Sequence, residues 1–314
     1  MSYAFVFPGQ GSQAVGMGQE LATAFPAAKA VFEQVDDALS QKLSAIMWDG
    51  PMEDLTLTAN AQPALMAVSM AVVEVLKAEF DVNMTDARFL AGHSLGEYSA
   101  LCAAGVVSLA DTARLLRIRG NAMQSAVPVG KGAMAALLGA SLEDADAAVK
   151  AGQATGICQI ANDNAVGQIV LSGETAAIEA AAVYARENGV KKAVILPVSA
   201  PFHCDLMQPA ADAMQEALAD VEFNAPSVPI VNNIMAAPIS DPLQLKSDLV
   251  KQVTGRVRWR ESITWMTEEG VTDIAELGHG KVLTVMLRRI VKGINGLAVG
   301  TPEQLEAFAT ALKG

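Results

Sequence analysis

Ser94 sits in the run Gly92-His93-Ser94-Leu95-Gly96, a spacing that can turn a serine hydroxyl into a nucleophile. The short apolar stretch Phe89-Leu90-Ala91 before it and the small residues after it predict a strand, a sharp turn and a helix over 97–104. On such a turn the glycines relieve crowding and the hydroxyl is lifted to the C-terminal edge of a sheet. The free N–H groups and positive dipole end of the helix then face any anion formed there. The N–H of Leu95 becomes an oxyanion donor in this geometry. The same five residues also suit a glycine-rich turn with an incidental serine, so other residues must decide.

A serine hydroxyl is a poor nucleophile until a neighbour accepts its proton, and histidine titrates near neutral pH. The chain has His93, His203 and His279. His93 directly precedes Ser94 in the strand-to-turn, which points its side chain away. His279 lies in the glycine turn Gly278-His279-Gly280. His203, in Ser199-Ala200-Pro201-Phe202-His203-Cys204, is the favoured base, its structural alternative being a hydrogen-bonded core histidine ahead of a helix.

Arg119 is the third informative residue. Winding a helix from Asp111 to Met123 at 100° per residue puts Leu115, Leu116, Ile118, Ala122 and Met123 on one side, with Arg119 among them. Arg114, Arg117, Asn121 and Gln124 fall opposite. A guanidinium keeps its charge, so burying it demands an anion. That anion is either a protein carboxylate or a substrate carboxylate gripped bidentately.

The elements that must position these groups follow in order. Tyr3-Ala4-Phe5-Val6-Phe7 reads as a buried strand running into Pro8-Gly9-Gln10-Gly11-Ser12-Gln13, a loop whose Gln10 N–H can face the nucleophile. Gly9-x-Gly11-x-x-Ala14 also fits a relaxed dinucleotide fingerprint. Gly16 and Gly18 would weaken the helix this requires by ~1 kcal/mol each, and Pro8 interrupts the strand end, so that alternative is set aside. Helical segments follow Pro26, and Pro63 is placed in the first turn of a helix over 64–80 that is apolar nearly all round.

From Val127-Pro128-Val129-Gly130 the pattern becomes strand 133–138, helix 142–151, strands 157–162 and 168–172, helix 174–187 and strand 190–197. That βαββαβ order predicts a ferredoxin-like small domain, 128–198, inserted into an α/β-hydrolase-like large domain, 1–127 and 199–314, with a mostly parallel sheet. A cleft at the junction is the expected ligand site. Further strands are read at 228–231 and 273–277, with helices at 243–252 and 281–291. A last helix is opened by Thr301-Pro302-Glu303-Gln304.

A net charge of −12 and 5% aromatic residues argue against a nucleic-acid surface. No apolar run reaches the ~18 residues that span a bilayer, and the start, Met1-Ser2-Tyr3-Ala4-Phe5, lacks a basic lead, so no membrane partner and a cytoplasmic location are expected. Cys102, Cys158 and Cys204, odd in number and set among apolar neighbours, suit reduced core thiols rather than disulfides or a metal site.

Several motifs together resemble the malonyl-CoA:acyl carrier protein transacylases of bacterial fatty-acid synthesis. They are Phe7-Pro8-Gly9-Gln10-Gly11-Ser12-Gln13, Ala61-Gln62-Pro63-Ala64, Gly92-His93-Ser94-Leu95-Gly96-Glu97, Arg119-Gly120 with Met123-Gln124, Pro201-Phe202-His203 and Gly280-Lys281-Val282-Leu283. The resemblance implies ping-pong transfer from malonyl-CoA to acyl carrier protein without a cofactor or metal. Ser94 would be the nucleophile, His203 the base and then acid, Arg119 the carboxylate clamp, and the N–H groups of Gln10 and Leu95 the oxyanion hole. It further implies that a main-chain carbonyl, matched by Gln252, orients the histidine. Asn162 and Asn164 match a stretch near the CoA arm, Met123 belongs with them among substrate contacts, and Phe202 stands where a bulky aromatic favours malonyl over branched groups. His279 and Val166 stand where the family often has proline, which bears on loop conformation and CoA contacts.

Two other function classes share parts of this machinery: a serine thioesterase or carboxylesterase on the same elbow, and a catalytically silent binding module. The lack of an acid in the Ser, Asp, His order leans against a hydrolase. For an acidic carrier protein the expected docking patch draws on Lys191, Lys192, Arg256, Arg258, Arg260, Arg288 and Arg289.

Overall fold

Alternate residues of the first strand, β1 (Tyr3–Phe7), enter two different cores: Tyr3, Phe5 and Phe7 join one cluster, Ala4 and Val6 another. Side chains alternate across a strand, so a run buried at every position needs packed layers on both faces. In the computed structural model, which describes residues 1–198 and 200–313, helices supply both layers. Ser199, the first residue of the return stretch, and Gly314 lie outside the described residues.

Four helices follow β1: α1 (Gln19–Ala24), α2 (Pro26–Leu39), α3 (Leu43–Asp49) and α4 (Met52–Thr56). Then come α5 (Thr58–Phe80), β2 (Ala87–Gly92), α6 (Gly96–Ala103) and α7 (Leu109–Ser125). The next unit is β3 (Gly132–Leu138), α8 (Leu142–Gln153), β4 (Cys158–Ala165), β5 (Gln168–Glu174), α9 (Thr175–Glu187) and β6 (Lys192–Ile195). The chain then runs through α10 (Gln208–Ala219), β7 (Ile230–Val231), β8 (Pro238–Ile239), α11 (Pro242–Thr254), α12 (Trp259–Glu268), β9 (Asp273–Leu277), α13 (Val282–Ile290), β10 (Asn295–Val299) and α14 (Pro302–Lys313).

The larger sheet has the order β10-β9-β1-β2-β7-β8 and is parallel except for β8, which pairs antiparallel with β7. The smaller sheet, β4-β5-β3-β6, is antiparallel throughout. One of its faces carries an alanine-rich core with α8 and α9. Met134, Ala161 and Val170 form a separate cluster with Leu196, Val198 and Phe202. The smaller sheet is stitched at β4 to the segment between α11 and α12: Asp163 N donates to Val257 O at 2.9 Å and Val257 N to Ala161 O at 2.8 Å. Arg260 adds a two-pronged ion pair to the buried Asp163 carboxylate, its nearest approach 2.7 Å.

Several boundaries depart from the sequence expectation. α5 begins at Thr58, so Pro63 stands inside it, where the ring removes an intrahelical hydrogen bond. The extra turn is held because Asn60, Ala61 and Gln62 are buried and α7 packs closely there. A Cβ on Gly120 would come within 2.6 Å of Ala59 Cα, so only glycine lets the two backbones approach this far. α7 starts two residues early because Ser108 Oγ accepts the Asp111 N–H as its cap. Ile118, placed on the apolar side, is 40% exposed, whereas Arg119 is 1% exposed. The sequence pattern left 259–268 and 295–299 unassigned; they are α12 and β10. α14 is capped at its start by reciprocal bonds between Thr301 and Gln304, as its sequence predicts. Among the described residues no helix is long and apolar enough to cross a membrane.

Candidate active site

Ser94 leaves the end of β2 with φ 53°, a left-handed conformation costly for a side-chain-bearing residue. The turn is built by close approach. A Cβ on Gly92 would run into the Gly96 carbonyl, and one on Gly96 into that of Phe7. Asn233, just after β7, braces both sides of it. Its Oδ1 accepts the Ser94 N–H at 2.7 Å and its Nδ2 donates to Gly92 O at 2.7 Å. The Ser94 N–H is thereby engaged. The N–H groups of Gln10 and Leu95 have no acceptor among the described residues, and both residues line the same cavity as Ser94.

His203, 4% exposed, places Nε2 2.8 Å from Ser94 Oγ. Its Nδ1 lies 2.9 Å from the Gln252 carbonyl oxygen, an atom that only accepts, so Nδ1 carries the proton and Nε2 is free to take one. Among the described residues no carboxylate bonds to the ring. Burial, and then the charge of Arg119, push its pKa down to about 3, which keeps the imidazole neutral near pH 7.

Arg119 joins these two. Its Nη2 donates to Ser94 Oγ at 3.2 Å and to Gln252 Oε1 at 2.9 Å, and its Nη1 to Gln62 Oε1 at 2.7 Å. The guanidinium lies 5.6 Å from the Tyr98 ring centre. Nε has no partner. Among the described residues no carboxylate lies within ion-pair distance of Arg119, so the structural alternative of an internal salt bridge is absent. Burial works against its charge, with Tyr98 and Glu97 opposing that effect.

These groups open into a cavity of about 340 Å³ at the C-terminal ends of β1 and β2, facing the smaller sheet. Met123, Asn162, Asn164 and Phe202 line it with Gln10, Leu95, Arg119 and His203. Gln252 lies behind, fully buried. His93 does not bond to Ser94: its Nε2 lies 2.8 Å from Asn164 Oδ1 and its ring packs edgewise on Trp259. Burial lowers its pKa, with the Asn164 bond opposing. His279 is not in the cavity wall, and Val166 is two-thirds exposed in the β4–β5 turn. Cys102, Cys158 and Cys204 are free and buried. Among the described residues no group of three or more His, Cys, Asp or Glu is placed to hold a metal ion.

A nucleophile elbow, an imidazole on its hydroxyl and an unpaired guanidinium beside both are a constellation for acyl chemistry on an anionic acyl group. Residues 4–298 match the family described as acyl transferase domain. This chain belongs to the acyl transferase family. The acyl transferase is 43% identical to a malonyl CoA-acyl carrier protein transacylase of Bacillus subtilis over 99% of this chain and 97% of that protein. The crystal structure of an acyl-carrier-protein-S-malonyltransferase from Bartonella henselae is similar at TM-score 0.98 and 58% identity, covering 100% of both chains. A malonyl-transacylase in complex with its type II polyketide acyl-carrier protein is similar at TM-score 0.95 and 40% identity, over 100% of this chain and 99% of that one.

The acyl transferase contains functional side chains that sequence reasoning passed over. Gln62 enters the sequence reading only within the motif Ala61-Gln62-Pro63-Ala64, and Asn233, two residues past the strand read at 228–231, has no role there; each is 1% exposed or less. Of the expected docking patch, Arg256 and Arg258 pair with Glu261, and Arg260 with Asp163, which removes them from a free basic surface. Lys191, Lys192, Arg288 and Arg289 are exposed.

Proposed function

We propose that this acyl transferase moves a malonyl group from malonyl-CoA to the phosphopantetheine thiol of an acyl carrier protein through a malonyl-Ser94 ester, supplying extender units for fatty-acid synthesis. The observation that carries this is the buried Arg119 fork, 3.2 Å from Ser94 Oγ and, among the described residues, without a carboxylate partner. An acyl group with its own carboxylate completes that fork bidentately, and a neutral one leaves the charge unpaired.

His203 Nε2 takes the Ser94 proton as Oγ attacks the thioester carbon. The N–H groups of Gln10 and Leu95 receive the oxyanion, each worth about 3 kcal/mol of barrier. Collapse breaks the C–S bond, and the imidazolium returns its proton to the departing CoA thiolate. The carrier thiol then gives its proton to Nε2, attacks the ester, and Ser94 Oγ leaves by recovering that proton. Gln252 O holds the ring in the required tautomer throughout. No cofactor or metal takes part. Asn162, Asn164 and Met123 contact the CoA arm or acyl group, and Phe202 bounds the space beside the malonyl carbon.

We also place the domain division at 1–127 with 199–314, an α/β-hydrolase-like body, and 128–198, a ferredoxin-like insert. The β4-β5-β3-β6 order with two helices on one face supports the latter. The setting is cytoplasmic, with no nucleic acid or membrane as partner. The acidic carrier docks on the basic ground left free, Lys191, Lys192, Arg288 and Arg289. Intact-mass measurement after incubation with malonyl-CoA tests the whole reading. A malonyl adduct lost on Ser94→Ala, stable in buffer and discharged by carrier protein, is expected. Rapid discharge to water would make it a hydrolase, and no adduct a binding module.

A further inference from the structure

Apart from the Ser94 hydroxyl and the Tyr98 ring, the described partners of Arg119 are neutral amides. Gln62 Oε1 takes Nη1 at 2.7 Å and Gln252 Oε1 takes Nη2 at 2.9 Å. Both glutamines are buried to 1% exposure or less. Amide oxygens satisfy N–H donors without cancelling the charge, whereas a carboxylate in either place would do both. The orientation of Gln252 is dictated from behind. Its Nε2 donates to Ser94 O at 3.0 Å, a carbonyl oxygen that only accepts, and to Glu97 Oε2 at 3.1 Å, so Oε1 faces Arg119. Glu97, which also accepts the Asn233 N–H at 2.8 Å, is therefore a carboxylate one amide removed from the guanidinium. When ionised, its charge offsets burial of the cation without occupying the fork. Gln62 is brought in by the α5–α7 contact at Gly120, next to Arg119 in sequence.

We propose that Gln62 and Gln252 are positioning residues that hold Arg119 aimed yet un-neutralised, and that this amide cradle, with Glu97 behind it, sets the preference for acyl groups bearing a carboxylate. The inference rests on the malonyl-transfer reading. A carboxylate at 62 would supply the guanidinium with an internal partner and compete with the substrate. An apolar side chain there would leave the charge intact but the fork unaimed.

The test compares Ser94 acylation by malonyl-CoA and by acetyl-CoA in wild type, Gln62→Glu and Gln62→Met. Gln62→Glu is expected to lower the malonyl-to-acetyl ratio of kcat/KM at least about tenfold. Gln62→Met is expected to raise the malonyl-CoA KM about tenfold with a smaller change in kcat, a split that general loosening of the fold would not produce. Should Gln62→Glu fail to fold, the Gln62→Met split decides. Equal slowing of both acyl groups in Gln62→Glu, or a fall in kcat with KM unmoved in Gln62→Met, would overturn the proposal. Wild type that acquires no malonyl group would instead remove the functional reading, and the inference with it.

Discussion

Asn233 Oδ1 accepts the main-chain N–H of Ser94 at 2.7 Å, which ties the nucleophile's left-handed backbone to the end of the neighbouring strand. The same side chain donates to Gly92 O, so one amide spans the elbow from both sides. Removing it leaves two buried backbone groups unpaired, at a cost of about 1–3 kcal/mol each. Asn233→Ala is expected to lower stability by at least about 2 kcal/mol in chemical denaturation. It should also reduce kcat more than it raises KM, because the hydroxyl loses its fixed height above the sheet. Unchanged stability with unchanged kcat would refute the bracing role.

The low His203 pKa of about 3 arises first from burial and then from the Arg119 charge. A malonyl carboxylate bound to Arg119 removes the second cause, so occupancy should raise the imidazole pKa. The direction follows from charge: cancelling a nearby cation favours the imidazolium. NMR titration of His203 with and without malonate is the check. A neutral ring down to about pH 4 is expected in the free protein, with protonation beginning at higher pH in the complex.

Glu97 has its pKa raised to about 7 from the ordinary 4.5, chiefly by burial, against the hydrogen bonds from Asn233 and Gln252. A carboxyl whose folded pKa is raised contributes stability that is complete below pH 4.5 and is lost as pH rises through 7. Relative to Glu97→Gln, the wild type should therefore lose stability between pH 4.5 and 7, on the order of 1–3 kcal/mol. Denaturation midpoints of the pair across that window measure it. A difference that is flat with pH would contradict the buried, destabilised carboxyl.

Gly120→Ala tests how Arg119 is brought to the site. The new Cβ meets Ala59 Cα at 2.6 Å and Thr58 O at 2.7 Å, both backbone atoms that cannot swing aside. Overpacking of this kind costs about 1–3 kcal/mol. Thermal unfolding should show it, together with a raised KM for malonyl-CoA as α7 is pushed back.

Much of the site was legible in the sequence because its chemistry is local: Gly92-His93-Ser94-Leu95-Gly96 carries its own turn, and Arg119 stands out on a helix face that is otherwise apolar. The mostly parallel sheet and the antiparallel one were legible from runs such as Tyr3–Phe7 and from the alternation of strands and helices over 133–197. What was not legible depends on tertiary contact. Pro63 signals a helix start by local rules, yet packing against Gly120 carries α5 back to Thr58. Arg256, Arg258 and Arg260 read as free basic residues until Glu261 and Asp163 meet them. Gln62 and Asn233 had no pattern of their own, since a buried amide is identified only by the partners that satisfy it.

The central claim is that Arg119 selects the acyl group that Ser94 accepts. The most direct measurement is the ratio of kcat/KM for Ser94 acylation by malonyl-CoA over acetyl-CoA in wild type and Arg119→Ala. Loss of a buried charge partner costs about 3–5 kcal/mol, so the malonyl term should fall by about 100-fold or more while acetyl is relatively favoured. A variant that keeps the wild-type ratio, with both acyl groups slowed alike, would contradict the account.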